Sequence, residues 1–230
     1  MKKLALLFVL LTGVVLGVDA QFKPEGGEKN LEVSFSPLGG SNISIPGAGI
    51  KFRSFKSSTS AFRLGVFLGM ESSSEITQDE DSDTDTAELT DNSSSFSINI
   101  QPGIEKHVAG TDRLSPYMGA YVNIGYTSMT EKSETQWGAE ASNVGTQTDK
   151  SGSMNLGLNA VAGFDWYFTN DVYLGTEFGF GLAYSADLTN TTDFEGFDPN
   201  PDSGESKVGN SSSFQLGPNV VGQLRLGWLF

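Results

Sequence analysis

The chain has 230 residues, with 28 acidic against 14 basic side chains, a formal charge of −14, one histidine and no cysteine. Such acidity repels phosphate backbones and excludes a nucleic-acid partner. The absence of thiols excludes a disulfide framework and cysteine chemistry.

Residues 1–20 read as a signal peptide. Lys2 and Lys3 precede the apolar run Leu4 to Leu16, and Val18-Asp19-Ala20 offers a small-residue cleavage site. The mature chain, 21–230, is expected to be one all-β domain. No later stretch reaches 18 consecutive apolar residues, so no transmembrane helix is expected. Barrel strands, being half apolar, escape that criterion.

From Glu28 to Pro37, Leu31, Val33 and Phe35 alternate with polar neighbours, the period of a strand with one oily face. Leu38 to Asn42 is turn chemistry. The return strand starts at Ile43 and Ile45 and resumes at Ile50 and Phe52, so its parity slips across Pro46-Gly47-Ala48-Gly49, where a bulge is expected. After a link at Lys56 to Ser60, the third strand places Phe62, Leu64, Val66, Leu68 and Met70 on one face. Glu71 to Ser95 then carries acids and no Lys or Arg, the composition of a long solvated loop.

The fourth strand alternates Phe96, Ile98, Ile100 and Ile104 with Ser97, Asn99, Gln101, Gly103 and Glu105. A short turn near Ala109 to Leu114 leads to the fifth, carrying Met118, Ala120, Val122, Ile124 and Tyr126. Thr130 to Gly152 is again long and polar. The sixth runs Met154 to Phe168, Thr169-Asn170-Asp171 turns it, and the seventh runs Val172 to Tyr184. Asp187 to Asn210 is a third long polar loop. The last strand, Phe214 to Phe230, alternates to the final residue. Pro102 and Pro218 lie within strands, where each removes a ladder donor and suggests a local bulge.

Eight strands with short turns on one rim and long loops on the other predict an eight-stranded antiparallel up-and-down transmembrane β-barrel. Its outward aromatics sort by depth. Phe52, Phe62, Phe164, Trp166, Phe168, Trp228 and Phe230 fall at the short-turn rim. Phe35, Phe96, Tyr126, Tyr184 and Phe214 fall at the long-loop rim. Two such belts are interfacial girdles. An eight-stranded barrel is just wide enough for its own side chains to fill it. The inward set includes Arg63, Glu105, Glu177 and Arg225, and their depths predict two lumen ion pairs, Arg63 with Glu105 and Glu177 with Arg225.

Leu224-Arg225-Leu226-Gly227-Trp228-Leu229-Phe230 resembles the C-terminal end of small OmpA/OmpX-type outer-membrane barrels of Gram-negative bacteria. The resemblance implies a location in the bacterial outer membrane, with outer-membrane lipid around the barrel and the long loops extracellular. It also implies that Leu224, Leu226, Trp228 and Phe230 form the signal read by the barrel-assembly machinery.

Candidate chemistry is sparse. His107 falls at the short-turn rim, away from the long loops, and no catalytic constellation or cofactor motif is present. Asp79, Asp81, Asp83 and Asp85 alternate as weak divalent-cation ligands, but lack the Gly and Glu of a calcium-binding helix–loop–helix site. The expected function is a non-enzymatic structural or surface-interaction role, with a surface ligand met by the acidic loops. A narrow porin-like channel is the first alternative, and a secreted lipocalin-like binder the second.

Overall fold

Period-two hydropathy becomes a closed ring of antiparallel strands. The computed structural model describes residues 23–35, 48–79, 87–136, 144–188, 190–196, 204–206 and 211–230. The strands are β1 (Lys29–Phe35), β2 (Ala48–Ser57), β3 (Ser60–Asp79), β4 (Ala87–His107), β5 (Leu114–Gln136), β6 (Val144–Tyr167), β7 (Val172–Asp187), β8 (Asn190–Glu195), β9 (Gly204–Ser206) and β10 (Ser212–Leu229). The order β5-β4-β3-β2-β1-β10-β7-β6 closes through β5–β6 pairing, which leaves the eight-stranded barrel without an open edge. Leu31 sits between Phe52 and Trp228, and the Phe230 amide donates to the Lys29 carbonyl at 2.9 Å. The end of the chain is thereby hydrogen-bonded to the first described strand.

Side chains alternate as the pattern dictates. Val33, Ile50, Ile124, Leu158, Phe180 and Leu226 are exposed on the outer wall, where lipid rather than protein covers them. Their neighbours along each strand turn into the lumen. The outer surface is therefore the oily one, the inverse of a lipocalin.

The long polar segments differ from their expected form. Glu71 to Ser95 is mostly strand: β3 and β4 pair without a break from Ser60↔Lys106 to Asp79↔Ala87. β5 and β6 likewise pair up to Gln136↔Val144, and β8 and β9 extend the sheet from the upper part of β6. The reason is physical. Where both faces meet water, Ser, Thr, Asn and Glu occupy both parities, and hydropathy carries no period. β6 has 24 residues, roughly twice the ~9–11 needed to cross a bilayer, so its polar first half stands clear of the membrane.

The three proline expectations separate. At Pro218 the β10–β7 register shifts, between Pro218 and Val220 and again before Gln223, as a bulge requires. Pro102 produces no shift: it pairs with Leu64 in an unbroken β3–β4 register, and the β4–β5 register is the same on either side of it. A proline whose missing N–H costs one ladder bond does not need an extra residue beside it. The slip expected around Pro46 lies outside the described residues, as do the expected signal peptide and the expected strand start at Ile43 and Ile45.

Candidate functional site in the barrel lumen

Parity aims eight charged side chains at one level of the lumen, near the short turns. Lys51 and Arg53 come from β2, Arg63 from β3 and Arg225 from β10. Glu32 comes from β1, Glu105 from β4, Asp165 from β6 and Glu177 from β7. All are buried, and four cations face four carboxylates. Moving one such ion into a low-dielectric interior costs several kcal/mol, so each needs partners.

The contacts form two fused circuits. Arg225 Nη1 lies 2.8 Å from Glu32 and its Nη2 2.7 Å from Asp165, while Arg53 Nη1 lies 2.8 Å from Asp165. Arg53 Nε, 3.3 Å from Glu32, closes the first circuit. In the second, Arg53 reaches Glu105 at 2.9 Å and Arg63 reaches Glu105 at 3.0 Å. Arg63 then holds Glu177 with both terminal nitrogens, at 2.8 and 3.1 Å. Lys51, 3.5 Å from Glu177 and 3.8 Å from Glu32, returns to the start. The Arg53–Glu32 and Arg63–Glu105 contacts are close in distance but leave Glu32 Oε1 and Glu105 Oε1 without a well-directed hydrogen bond. They act as charge pairs, and the shorter, directed contacts fix the geometry.

Tyrosines complete the plug. Tyr117 donates its hydroxyl hydrogen to Glu177 at 2.6 Å, and the Tyr173 hydroxyl accepts from Arg53 and Asn30. The guanidinium of Arg225 lies 5.1 Å from the Tyr117 ring centre, and that of Arg63 5.0 Å from Tyr121, within cation–π range.

Glycines on the opposite registers make room for these long side chains. A Cβ on Gly175 would stand 2.6 Å from Arg225 Nη2 and 2.7 Å from Asp165 Oδ1. One on Gly227 would stand 2.1 Å from the Tyr173 ring.

Above the network the lumen changes character. Gln101 donates to Asn123 at 2.9 Å, Asn123 to Asn155 at 2.6 Å, and Asn155 to Ser185 at 2.9 Å, all only partly buried. This amide chain runs round the wall from β4 to β7 beneath the long-loop end.

Of the two expected pairs, Arg63 and Glu105 stand within contact. The other is corrected: Glu177 engages Arg63 and Lys51, while Arg225 engages Glu32 and Asp165. At one level a ring offers several partners, and Arg63 and Lys51 take Glu177. Lys51, Arg53, Glu32 and Asp165 were absent from the expected set. Each lies beside an outward apolar residue, so the same parity would have found them.

His107 Nδ1 lies 2.9 Å from Ser115 Oγ, and its Nε2 lies 3.5 Å from Glu105. This has the connectivity of a nucleophile–base–acid relay. Yet all three residues are buried, His107 is packed between the Phe55 and Tyr117 rings, and Glu105 already serves two arginines. No substrate reaches the hydroxyl in this arrangement.

The girdle residues Tyr126, Tyr184, Phe164, Trp166 and Trp228 are exposed on the outer wall, with Phe168 half-buried 6.0 Å from the Trp166 ring. Leu224, Leu226, Trp228 and Phe230 also face outward. Asp79 ends β3; Asp81, Asp83 and Asp85 lie outside the described residues.

No curated protein sequence matches the chain. Among solved structures it is similar to Ail, the attachment invasion locus protein of Yersinia pestis, at 10% identity and TM-score 0.32, covering 89% of this chain and 99% of that one. It is also similar to CarO of Acinetobacter baumannii, at 14% identity and TM-score 0.36, covering 92% of this chain and all of that one. The model of the OmpA-OmpF-like porin family matches residues 49–207, which takes in β2 through β9 and most of the lumen network. On that match, the chain belongs to the OmpA-OmpF-like porin family of outer-membrane β-barrels.

Proposed function

We propose that the protein is a non-enzymatic integral protein of the bacterial outer membrane whose sealed barrel anchors an acidic interaction surface. The observation that carries this reading is the charge-balanced network across the lower lumen. Every member is buried, and the circuits leave no row of free charges along which an ion could step. The barrel serves as a rigid post. What varies in chemistry is the wall above it, where Glu71, Glu75, Glu88, Asp91, Glu131 and Glu134 stand on β3 to β5 and few bases accompany them.

In this reading the long-loop end faces outward. It meets a cationic partner, or surface-lipid phosphates through bridging divalent ions. Phe230 and the alternate residues before it serve as the address for barrel assembly. The Phe230 amide and carbonyl both bond to Lys29 at the start of β1, which suits a strand that closes the ring.

Planar-bilayer recording tests the central claim. The purified barrel is expected to give no steady unitary conductance, and reproducible channels would favour the narrow-pore reading instead. Orientation is tested separately, by labelling a cysteine introduced at Ser72 in intact cells with a membrane-impermeant reagent. Labelling at Ser72, with none at a cysteine placed at Thr59, supports outward long loops; the reverse pattern inverts the molecule.

A further inference from the structure

Outside the lumen, near the short turns, the outer wall is not smooth. A groove of about 510 Å³ opens there across β3, β4 and β5. Its shape follows from two adjacent cross-strand rows. In one, Phe62, Ile104 and Ala120 lie side by side; in the other, Ser60, Lys106 and Met118 do. Large apolar walls beside the small Ala120 and Ser60 leave a channel, with Lys106 at its head and Lys56 contributing from the end of β2.

The charge presented outward along it has one sign. Lys56 and Lys106 are exposed, and neither is in an ion pair among the described residues. Glu105 lines the groove, but its carboxylate turns inward to Arg53 and Arg63. Glu28, in the turn before β1, is hydrogen-bonded to the Glu25 amide and does not line the groove. Among the residues that line the groove, the outward charge is thus two cations, Lys56 and Lys106, above an apolar channel. Its depth, beside the short turns, is that of a headgroup layer.

We propose that this groove holds one anionic glycerophospholipid from the leaflet at the short-turn rim. Its phosphate sits between Lys56 and Lys106, and an acyl chain lies along Phe62, Ile104, Ala120 and Met118. A lysine beside a bilayer surface favours anionic lipid about fivefold, so a pair multiplies to roughly twenty-fivefold over a zwitterionic lipid. The channel adds position, because it seats one chain where a smooth wall would let lipids exchange freely. The inference depends on the membrane-spanning fold and not on which rim faces out.

The test uses the full mature chain in bilayer discs of phosphatidylcholine doped with phosphatidylglycerol. Native mass spectrometry then counts the lipid retained on the released barrel. The wild type is expected to keep one phosphatidylglycerol at roughly the twenty-fivefold preference. Lys56→Gln with Lys106→Gln should abolish the preference, while Lys132→Gln with Lys150→Gln, at the other end of the molecule, should leave it intact. Ala120→Trp keeps both lysines and fills the channel, and should also lose the bound lipid. Heat-dependent gel mobility shows that each variant is folded. Equal retention by the wild type of both lipids, or by the Lys56/Lys106 variant of phosphatidylglycerol, overturns the site. Undiminished retention by Ala120→Trp reduces it to surface adsorption and overturns the groove. Both leaflets of a disc present the same lipids, so neither failure depends on orientation or on conductance.

Discussion

In the lower lumen Arg53 is fully buried and lies within 3.3 Å of Glu32, Glu105 and Asp165. In the wall above, Glu75 and Asp91 stand directly opposite each other on β3 and β4, two like charges side by side in water. The two regions share strands and differ in dielectric. Inside, an unmatched charge costs several kcal/mol, so sequence and geometry converge on four of each sign. Outside, water and salt screen the repulsion, and acids accumulate with little penalty. The whole-chain charge of −14 is therefore a statement about the wall and the long-loop end, since the lumen network contributes nothing to it. Charge placement separates the part that holds the molecule together from the part that is free to meet a partner.

The largest break in that comparison is expected from Arg53→Met. It keeps an unbranched side chain, but it takes one cation from each of Glu32, Glu105 and Asp165, leaves the lumen one negative charge in excess and removes the link common to both circuits. Breaking a buried ion pair on one side costs about 3–5 kcal/mol. Urea unfolding in lipid vesicles should show a loss of at least that size, and the barrel should gain fluctuating conductance. A change below about 1 kcal/mol would mean that water replaces Arg53 and that the lumen is not sealed.

A mutant cycle sharpens the same point at one contact. Arg63→Met and Glu177→Gln should each destabilise, and their combination should cost less than the sum by about 0.5–3 kcal/mol, the coupling of residues in one network. Glu177 with Arg225, which do not pair, should couple less strongly. If the two cycles gave equal coupling, the network would be a diffuse charge cloud and not a set of specific bonds.

The barrel was legible from the chain because lipid imposes a strict rule. Each crossing strand must alternate, so Met154 to Trp166 or Leu224 to Phe230 declare both their strand and their faces. The same parity places Glu32, Lys51, Arg53 and Asp165 inside, but not which carboxylate each cation takes, because that depends on ring stagger and side-chain reach. Glu177 illustrates it: Arg63 is two strands beyond β1 in the ring, yet its long side chain crosses the lumen to reach it. The upper wall was illegible for the opposite reason. From Glu71 to Thr77 no face is buried, so nothing forces an alternation, and pairing with β4 is carried by backbone bonds that every residue type supplies. Pro102 misled because its side chain announces a missing donor, while an intact register absorbs it.

Gly175 tests how much of the lumen's order depends on space. Alanine there would bring its Cβ within 2.6 Å of Arg225 and 2.7 Å of Asp165, so the first circuit must shift. Overpacking of this kind costs about 1–3 kcal/mol. Gly217, where an added Cβ meets nothing within 4 Å, is the matched control on the same face of the next strand, and its alanine variant should be close to neutral. Equal effects at both positions would point to strand propensity in place of packing.

The smallest effect belongs to the wall. Glu75→Gln removes one charge of the Glu75/Asp91 pair and leaves the backbone register unchanged. Like charges directly opposite on neighbouring strands destabilise, so the variant should be slightly more stable, not less. The gain should appear in low salt and vanish in high salt, because both groups are exposed and within reach of screening ions. Arg53→Met should show no such salt dependence, since Arg53 and its partners are buried away from screening ions. A measured pair of salt slopes therefore distinguishes the two regions without any structure: a flat slope for the buried arginine, a falling one for the exposed glutamate. If Glu75→Gln were destabilising at every salt concentration, the acids of the wall would be holding something in place, and the wall could no longer be treated as a freely solvated surface.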